Sequence, residues 1–306
     1  MAIPTSRTKE TATITISHER CTGCGHCVSV CSDNSLRLEN NKAAVNDSPY
    51  FGCIGCGHCM AICPEDAIEI HGRTIQPTDM YPLPDKAEAA DFDALLSLLQ
   101  RRRSMRKFKA APIDAAITEK ILTAARTAPM GLPPSDVHVL VLDSKEKTHA
   151  FAKDFCQYLE SMQWFVSKWF LALMRPFWGK ANDEMFKGFI RPMFKTFTQG
   201  MKEGKNFVTY DAPLTMYFYG SPYTDPADPI VAATYAMVAA ESLGLGSCML
   251  GSIHPMIQNG RSAKLFREKH GIRFKSKEGL FVVFGYPVFN YHKGIKRSFA
   301  DVSFAE

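Results

Sequence analysis

The chain has 306 residues, a length typical of about two domains, and its 46% hydrophobic and 22% charged composition excludes a disordered or fibrous protein. The formal net charge of +5 does not by itself indicate a class of partner. The first ten residues, MAIPTSRTKE, contain no apolar core, and no run approaches the ~20 apolar residues of a membrane-spanning helix. We therefore expect a cytoplasmic protein, in which cysteines more often bind metal or react than form disulfides.

The first feature along the chain is a repeated four-cysteine motif, CTGCGHCVSVCS (21–32) and CIGCGHCMAICP (53–64). Each copy has the spacing C-x2-C-x2-C-x3-C, which wraps three thiolates around one [4Fe-4S] cluster and directs the fourth to a second cluster. We expect the fourth cysteine of each copy to open a helix. The predicted ligands are Cys21, Cys24, Cys27 and Cys63 for one cluster, and Cys53, Cys56, Cys59 and Cys31 for the other. Zinc is the alternative, but zinc sites usually separate two C-x2-C units by a longer insert.

Residues 12–75 resemble the bacterial two-cluster ferredoxins, including the strand-like segments ITIS (14–17) and AIEI (67–70). The resemblance implies a ferredoxin domain over residues 1–75 with two [4Fe-4S] clusters. One departure is Ser32, where that family often has proline, as the second copy does at Pro64.

A linker is predicted at 76–91, where QPTDMYPLPDKAEAAD contains three prolines and ends in a helix cap at Asp91. Behind this cap, LLSLL (95–99) supplies an apolar stripe. Helices are predicted at 92–103, 114–127 and 230–246, and strands at 137–143 and 279–287. This alternation of helices and strands indicates a layered domain of the α/β or α+β class.

A basic segment, RRRSMRKF (101–108), follows the first of these helices. A solvated basic surface is one interpretation. The other is a phosphate site, because guanidinium groups bind phosphate in bidentate fashion and serine adds a donor. Neither the triphosphate-binding loop nor the Rossmann glycine motif occurs in the sequence, so the phosphate of flavin mononucleotide (FMN) is the candidate that is left.

Residues 92–306 resemble the nitroreductase-like FMN-dependent flavoproteins. Five segments carry the resemblance, in the order of that family: RRSMR (102–106), AARTAPMGLPPSDVHVLVL (124–142), DAPLTMYFYG (211–220), AAESLGLGSCMLG (239–251) and GYPVFNYHKGIKRSF (285–299). The resemblance implies an α+β fold, with a central, mostly antiparallel sheet flanked by helices. It also implies a domain-swapped homodimer that holds FMN at the interface.

The same resemblance assigns residues to parts of FMN. It implies that the phosphate and the pyrimidine edge are bound by Arg102, Arg103, Ser104 and Arg106, and that Lys296 and Arg297 close on the phosphate. One face of the ring would be shaped by Pro129, Met130 and Gly131. Leu250 and Gly251 would present N–H groups near flavin N5 and O4. The loop at Pro133, Ser135, Asp136 and Val137 departs from the family pattern. His138 aligns with a family histidine, although a packed strand residue is the interpretation we favour.

Residues 150–208 form a segment rich in aromatic residues and methionine, which contains all three tryptophans. Three interpretations are open: core or dimer-interface packing, a lid over the flavin, and contact with a membrane surface. Outside the motifs, we expect Cys156 and Cys248 to be buried and inert.

The function indicated is electron transfer from the two clusters to FMN, and from FMN to an electron-poor small molecule such as a nitroaromatic, quinone or enone. The alternative reverses the flow: a donor such as NAD(P)H reduces the flavin, and the clusters serve a partner protein. An external ferredoxin or another redox protein is thus a possible partner. No side chain stands out as a proton donor. Because the clusters and the flavin phosphate would offset the basic charge, we expect no nucleic-acid partner.

Overall fold

The structure of the protein is a computed structural model that describes residues 10–305. Its N-terminal region, residues 10–75, consists of two antiparallel strand pairs and two short helices. These elements are β1 (Thr13–Ile16), α1 (His26–Val30), β2 (Leu36–Glu39), β3 (Lys42–Val45), α2 (His58–Ala61) and β4 (Ile68–His71). β1 pairs with β4 and β2 pairs with β3. The strands predicted at 14–17 and 67–70 are thus confirmed, each shifted by one residue.

The helices of the cysteine motifs begin one residue before the third cysteine. Gly25 and Gly57 precede α1 and α2 with φ of 76° in both cases, a left-handed conformation that glycine adopts without steric cost. Cys31 is the C-cap of α1, and Cys63 follows α2 after one intervening residue. The prediction that the fourth cysteine opens a helix is therefore wrong, because the glycine turn starts the helix earlier and leaves that cysteine at its end.

The segment 76–91 contains two single-turn 3-10 helices, Pro77–Asp79 and Lys86–Glu88, and most of its side chains are exposed. It leads to α3 (Phe92–Arg101). The Asp91 carboxylate accepts a hydrogen bond of 2.8 Å from the Ala94 amide, which confirms the predicted helix cap.

The C-terminal region, residues 92–305, is built around one antiparallel sheet with the strand order β5-β6-β8-β7. The strands are β5 (Val137–Leu142), β6 (Leu214–Gly220), β7 (Gly246–Leu250) and β8 (Gly279–Gly285). After α3, the helices are α4 (Ala115–Arg126), α5 (Lys145–Ser161), α6 (Lys168–Met185), α7 (Arg191–Lys202), α8 (Ala227–Ser242), α9 (Ile253–Met256) and α10 (Arg261–Lys269). Every residue of β6 and β8 is buried, which explains why both strands consist mostly of apolar and aromatic residues.

Two hydrophobic cores lie on opposite faces of this sheet. On one face, Met216 and Val282 pack with Ile121 of α4 and the alanines of α8. On the other, Tyr217 and Phe281 pack with aromatic residues of α5 and α7. The predicted α+β fold with an antiparallel sheet between helices is thus confirmed.

The segment 150–208 divides into a buried part and an exposed part. Phe155 and Phe194 belong to the core beside the sheet, whereas 54% of Trp164 and 63% of Trp169 is exposed. α6 is kinked at Gly179, and Trp178 stacks on Phe186 with their ring centroids 4.6 Å apart. Core packing therefore accounts for part of the segment and leaves its outer aromatic face unexplained. Within residues 10–305, no helix is both long and apolar enough to cross a membrane.

Candidate functional site

The first group of thiols combines three cysteines of the first motif with the last cysteine of the second. Cys21, Cys24, Cys27 and Cys63 line one small cavity. Backbone amides point toward two of the sulfurs: Ala43 donates to Cys21 Sγ at 3.4 Å and Ala67 to Cys63 Sγ at 3.3 Å. Burial raises the pKa of Cys27, and the three neighbouring thiols raise it further.

The second group of thiols combines three cysteines of the second motif with the last cysteine of the first motif. Burial raises the pKa of Cys59 to about 12, and the nearby thiols of Cys53, Cys56 and Cys31 add to this effect. Burial likewise raises the pKa of Cys53. These cysteines come from different motifs, and the close packing of α1 against α2 brings them together.

The chemistry of both groups suits an iron–sulfur cluster. Each offers four thiols, which are soft ligands, and amide donors toward sulfur are a usual feature of such sites. Among residues 10–305, no three His, Cys, Asp or Glu side chains are arranged to hold a single metal ion. The four-thiol composition of each group is that of the ligand set of a [4Fe-4S] cluster.

The basic segment after α3 lies beside the C-terminal tail. Arg102 and Arg103 share a cavity of about 380 Å³ with Lys296 and Arg297. The structure thus brings together residues from both ends of the C-terminal region that were predicted to bind the phosphate. Four cationic side chains around one open cavity form a site suited to a phosphate dianion.

Ser104 and Arg106 point toward β7. Ser104 forms an isolated parallel bridge with Ser247, and both Ser104 and Arg106 interact with the Cys248 thiol. Burial raises the pKa of Cys248, whereas the Arg106 guanidinium partly offsets this rise. Cys248 is 2% exposed, so the prediction of a buried cysteine is confirmed, and Cys156 is buried as well.

The segment Pro129–Met130–Gly131 lies at the other edge of the sheet. Pro129 and Met130 line a cavity of about 460 Å³ together with Val137, Val139 and Val141 of β5. The Gly131 amide donates to the Asp228 carboxylate at 2.9 Å.

Leu250 and Gly251 lie at the end of β7, the opposite edge strand. Leu250 is buried, whereas Gly251 is exposed, with open space around its α-carbon. β5 and β7 are separated by two strands, which corresponds to roughly 14 Å across the sheet. A single chain therefore does not unite the two sets of residues that were predicted to contact the flavin ring.

Two side chains near the arginines were not predicted from the sequence. Glu241 of α8 lies close to Arg101, Arg102 and Arg103, and burial raises the pKa of its carboxyl group despite these cations. The Tyr210 ring faces Arg106, whose guanidinium carbon lies 6.0 Å from the ring centroid. Glu241 lies within the matched segment 239–251, which assigned no role to it, and Tyr210 lies outside every matched segment.

His138 is a packed strand residue, as the favoured interpretation held. Its ring lies 5.5 Å from that of Tyr219 and 5.0 Å from that of Phe274. Its Nε2 is 3.4 Å from the buried carboxylate of Asp136. These contacts hold His138 within the face of β5 that packs toward α5.

Comparison with known proteins identifies two family models along the chain. Residues 99–286 match the model of the nitroreductase family, and residues 13–67 match the model of a 4Fe-4S dicluster domain. No curated protein sequence matches the chain significantly.

Among solved structures, a nitroreductase with bound FMN from Bacteroides fragilis NCTC 9343 is 17% identical with a TM-score of 0.52, and covers 69% of this chain and 98% of its own. A nitroreductase with bound FMN from Desulfitobacterium hafniense DCB-2 is 19% identical with a TM-score of 0.48, at 69% and 98% coverage. An FMN-dependent nitroreductase from Clostridium difficile R20291 is 21% identical with a TM-score of 0.44, at 69% and 99% coverage. The first of these supports the fold described above.

Because the family model spans more than half of the chain, the protein belongs to the nitroreductase family, and a 4Fe-4S dicluster domain precedes its nitroreductase domain.

Proposed function

We propose that this protein is an iron–sulfur flavoprotein oxidoreductase, which passes electrons from two [4Fe-4S] clusters to FMN and on to an electron-poor organic acceptor such as a nitroaromatic, quinone or enone. The observation that carries the proposal is the presence, in one chain, of two four-thiol groups and a separate four-cation cavity. When bound, the clusters carry single electrons and FMN collects two of them for transfer to the acceptor.

In this proposal, the thiols bind the clusters in crossed fashion. Cys21, Cys24, Cys27 and Cys63 hold the first cluster, and Cys53, Cys56, Cys59 and Cys31 hold the second. The support is the contact of each fourth cysteine with the other motif, because Cys63 lies beside Cys27, and Cys31 beside Cys59. Amides directed at sulfur would stabilise the more negative, reduced state of each cluster.

We assign FMN to the cavity between the basic segment and the tail. Arg102, Arg103, Lys296 and Arg297 would hold the phosphate, and Ser104 and Arg106 would bind nearby polar groups of the cofactor. Met105 fixes this segment to β7, so Leu250 and Gly251 at the end of that strand would lie near the reactive edge of the ring. The assignment is supported by the family match and by the bound FMN named for the solved relatives.

We further propose that a homodimer completes the flavin site. Pro129, Met130 and Gly131 lie at the opposite edge of the sheet from Gly251, so one chain supplies only part of the ring environment. The apolar stripe of α3, at Phe92, Leu95 and Leu99, is also exposed in the single chain. Apolar stripes on helices are normally covered in the native assembly. A second copy would cover α3 and bring the missing loop to the ring.

Cofactor analysis of the protein purified without oxygen tests the proposal. We expect about eight iron and eight sulfide for two four-iron clusters, together with about one FMN per chain. Bound zinc in place of iron, or a protein without flavin, would contradict the proposal.

Anaerobic stopped-flow mixing then determines the direction of electron flow. Reduction of the flavin by reduced ferredoxin but not by NAD(P)H supports the proposed direction. Rapid reduction of the flavin by NAD(P)H, followed by reduction of the clusters, supports the reverse direction.

A further inference from the structure

Arg73 links the dicluster domain to the nitroreductase domain. Its side chain is buried, with 5% exposed, although it carries a guanidinium group. The Nε atom donates to the Ile54 carbonyl, Nη1 to the Glu10 carbonyl and Nη2 to the Pro133 carbonyl, each at 2.9 Å. Pro133 is 60 residues away and belongs to the loop between α4 and β5.

The position of the Ile54 carbonyl connects this contact to the second group of thiols. Ile54 lies between Cys53 and Cys56, and the next residue, Gly55, packs on the stem of Arg73: a Cβ at Gly55 would lie 3.3 Å from Arg73 Cβ. The planar guanidinium presents its donors in a fixed fork, so the acceptors that it binds are held in a fixed arrangement. Arg73 therefore holds the thiol-bearing loop and the loop at Pro133 in one geometry.

The backbone conformation at Arg73 is unfavourable for an arginine. Gly72 and Ile75 exchange two backbone hydrogen bonds of 3.1 Å across Arg73 and Thr74. The φ angles of these two residues are 53° and 68°, which is the pattern of a hairpin turn that strongly prefers Asn-Gly. A branched threonine and a long arginine are costly in this conformation. The buried contacts of Arg73 offset that cost.

We propose that Arg73 is a positioning residue for electron transfer, and that the cluster held by the Cys53 group is the one that faces the flavin. The inference rests on the proposed function. Each transfer would move one electron, supplied by an external one-electron donor, from the reduced cluster to the flavin beside Pro129, Met130 and Gly131, which in the proposed homodimer is the flavin held by the basic segment of the second copy. Two such transfers and two protons from solvent complete the reduction of the flavin. Arg73 acts by holding the cluster-binding loop against the segment 129–136, which contains Pro129, Met130 and Gly131.

The first test measures the junction itself by hydrogen–deuterium exchange on the holoenzyme and on Arg73→Gln. The reporters are the Ala12 amide, which donates to the Cys53 carbonyl, and the Gly131 amide, which donates to Asp228. We expect both to exchange about tenfold faster in the variant, the factor for losing one charge-assisted hydrogen bond. Arg20→Gln is the matched control, because the Arg20 side chain is half exposed and pairs with Glu69 at 3.5 Å. Unchanged exchange in Arg73→Gln would overturn the proposal.

The second test follows electrons by rapid freeze-quench EPR after mixing with reduced ferredoxin. In Arg73→Gln, the reduced-cluster signal should persist several-fold longer before the flavin is reduced, while iron and flavin contents and the reoxidation of reduced flavin by a small quinone stay as in the wild type. Arg73→Lys keeps the charge but not the fork, and should give an intermediate lifetime. It also replaces Arg73→Gln if that variant does not fold. If the reduced-cluster signal in both variants lasts only as long as in the wild type, the positioning role of Arg73 is refuted. If the wild-type protein contains no flavin, the proposed function is refuted, but the hydrogen–deuterium exchange test of the Arg73 junction remains valid.

Discussion

The Met105 amide donates a hydrogen bond of 2.9 Å to the Ser247 carbonyl. This bond places the basic segment alongside β7, the strand that ends at Leu250. The contact is close because Gly246 has no side chain: a Cβ there would lie 2.7 Å from Met105 Cβ. The two parts of the proposed flavin site on this edge of the sheet are thus joined through a backbone contact that depends on glycine.

Gly246→Ala should therefore displace Met105 and the arginines beside it. We expect a loss of about 1–3 kcal/mol in the free energy of unfolding, as for other overpacked sites, together with reduced FMN content. Urea unfolding and flavin quantification measure these effects. Gly188→Ala is the control, because among the described residues the added Cβ would meet no atom within 4 Å apart from its chain neighbours and the backbone of its own helix. Equal effects of the two substitutions would show that the contact with Met105 is unimportant.

Arg102→Ala should weaken FMN binding without affecting the clusters. The change removes one guanidinium from the four-cation cavity and lies far in sequence from every cluster thiol. Losing a hydrogen bond to a charged group corresponds to about tenfold or more in the dissociation constant of FMN, with unchanged iron content. Fluorescence titration of the flavin-free protein gives this constant, with Arg261→Ala as a control for the loss of an exposed arginine. Full retention of FMN by Arg102→Ala would place the phosphate elsewhere.

Paired cysteine substitutions distinguish crossed from sequential ligation. With crossed ligation, Cys21→Ala combined with Cys63→Ala damages one cluster and leaves the other intact. Combining Cys21→Ala with Cys31→Ala then damages both, since Cys31 belongs to the second group. We expect about half the iron in the first double variant and little in the second. The opposite order of iron contents would establish sequential ligation.

The exposed aromatic residues of the C-terminal tail should contribute to the proposed homodimer. Phe299 and Phe304 are 84% and 91% exposed in the single chain, and residues 288–305 contain neither helix nor strand. Burial of two phenylalanines corresponds to about 3–6 kcal/mol. Phe299→Asp combined with Phe304→Asp should therefore shift the protein toward monomer in analytical ultracentrifugation. The matched change at the linker, Leu83→Asp, replaces a side chain that is 85% exposed and should have no such effect. A persistent dimer in the tail variant would exclude this contact.

Stability should fall in acid because His254 is buried. Its Nδ1 accepts from the Tyr217 hydroxyl at 2.8 Å, and burial lowers the pKa of His254. Below the ordinary histidine pKa of about 6.5, the unfolded chain binds a proton at this position that the folded chain resists. The free energy of unfolding then decreases by up to about 1.4 kcal/mol per pH unit for this group.

Denaturant unfolding at about pH 7.5 and about pH 5.5, on either side of that pKa, measures the effect. His254→Gln lacks the titrating group and should lose less stability between the two values than the wild type. Since both proteins carry the same cofactors, acid effects on the cofactors cancel in this comparison. Identical pH dependence would assign the effect to other groups, among them His270, whose pKa burial also lowers.

The sequence by itself determined the features that depend on short spacings. The two-residue gaps between cysteines, the cap at Asp91 and the mostly apolar sequences of β6 and β8 are all local features, because chain geometry and periodicity dictate them over a few residues. The five ordered segments determined the family. The helix position in the cysteine motifs was misjudged since the left-handed conformation of Gly25 and Gly57 decides where each helix begins.

Only the tertiary structure decided which distant groups meet. The Arg73 contact with Pro133, the proximity of Glu241 to the basic segment, and the placement of Gly131 and Gly251 at opposite edges of the sheet all depend on how surfaces pack. No spacing within the sequence encodes these relationships, because each joins residues whose separation along the chain is bridged by folded elements. For this reason the cofactor types are indicated by short motifs, whereas the proposed electron route between the cofactors depends on the docking of the two domains.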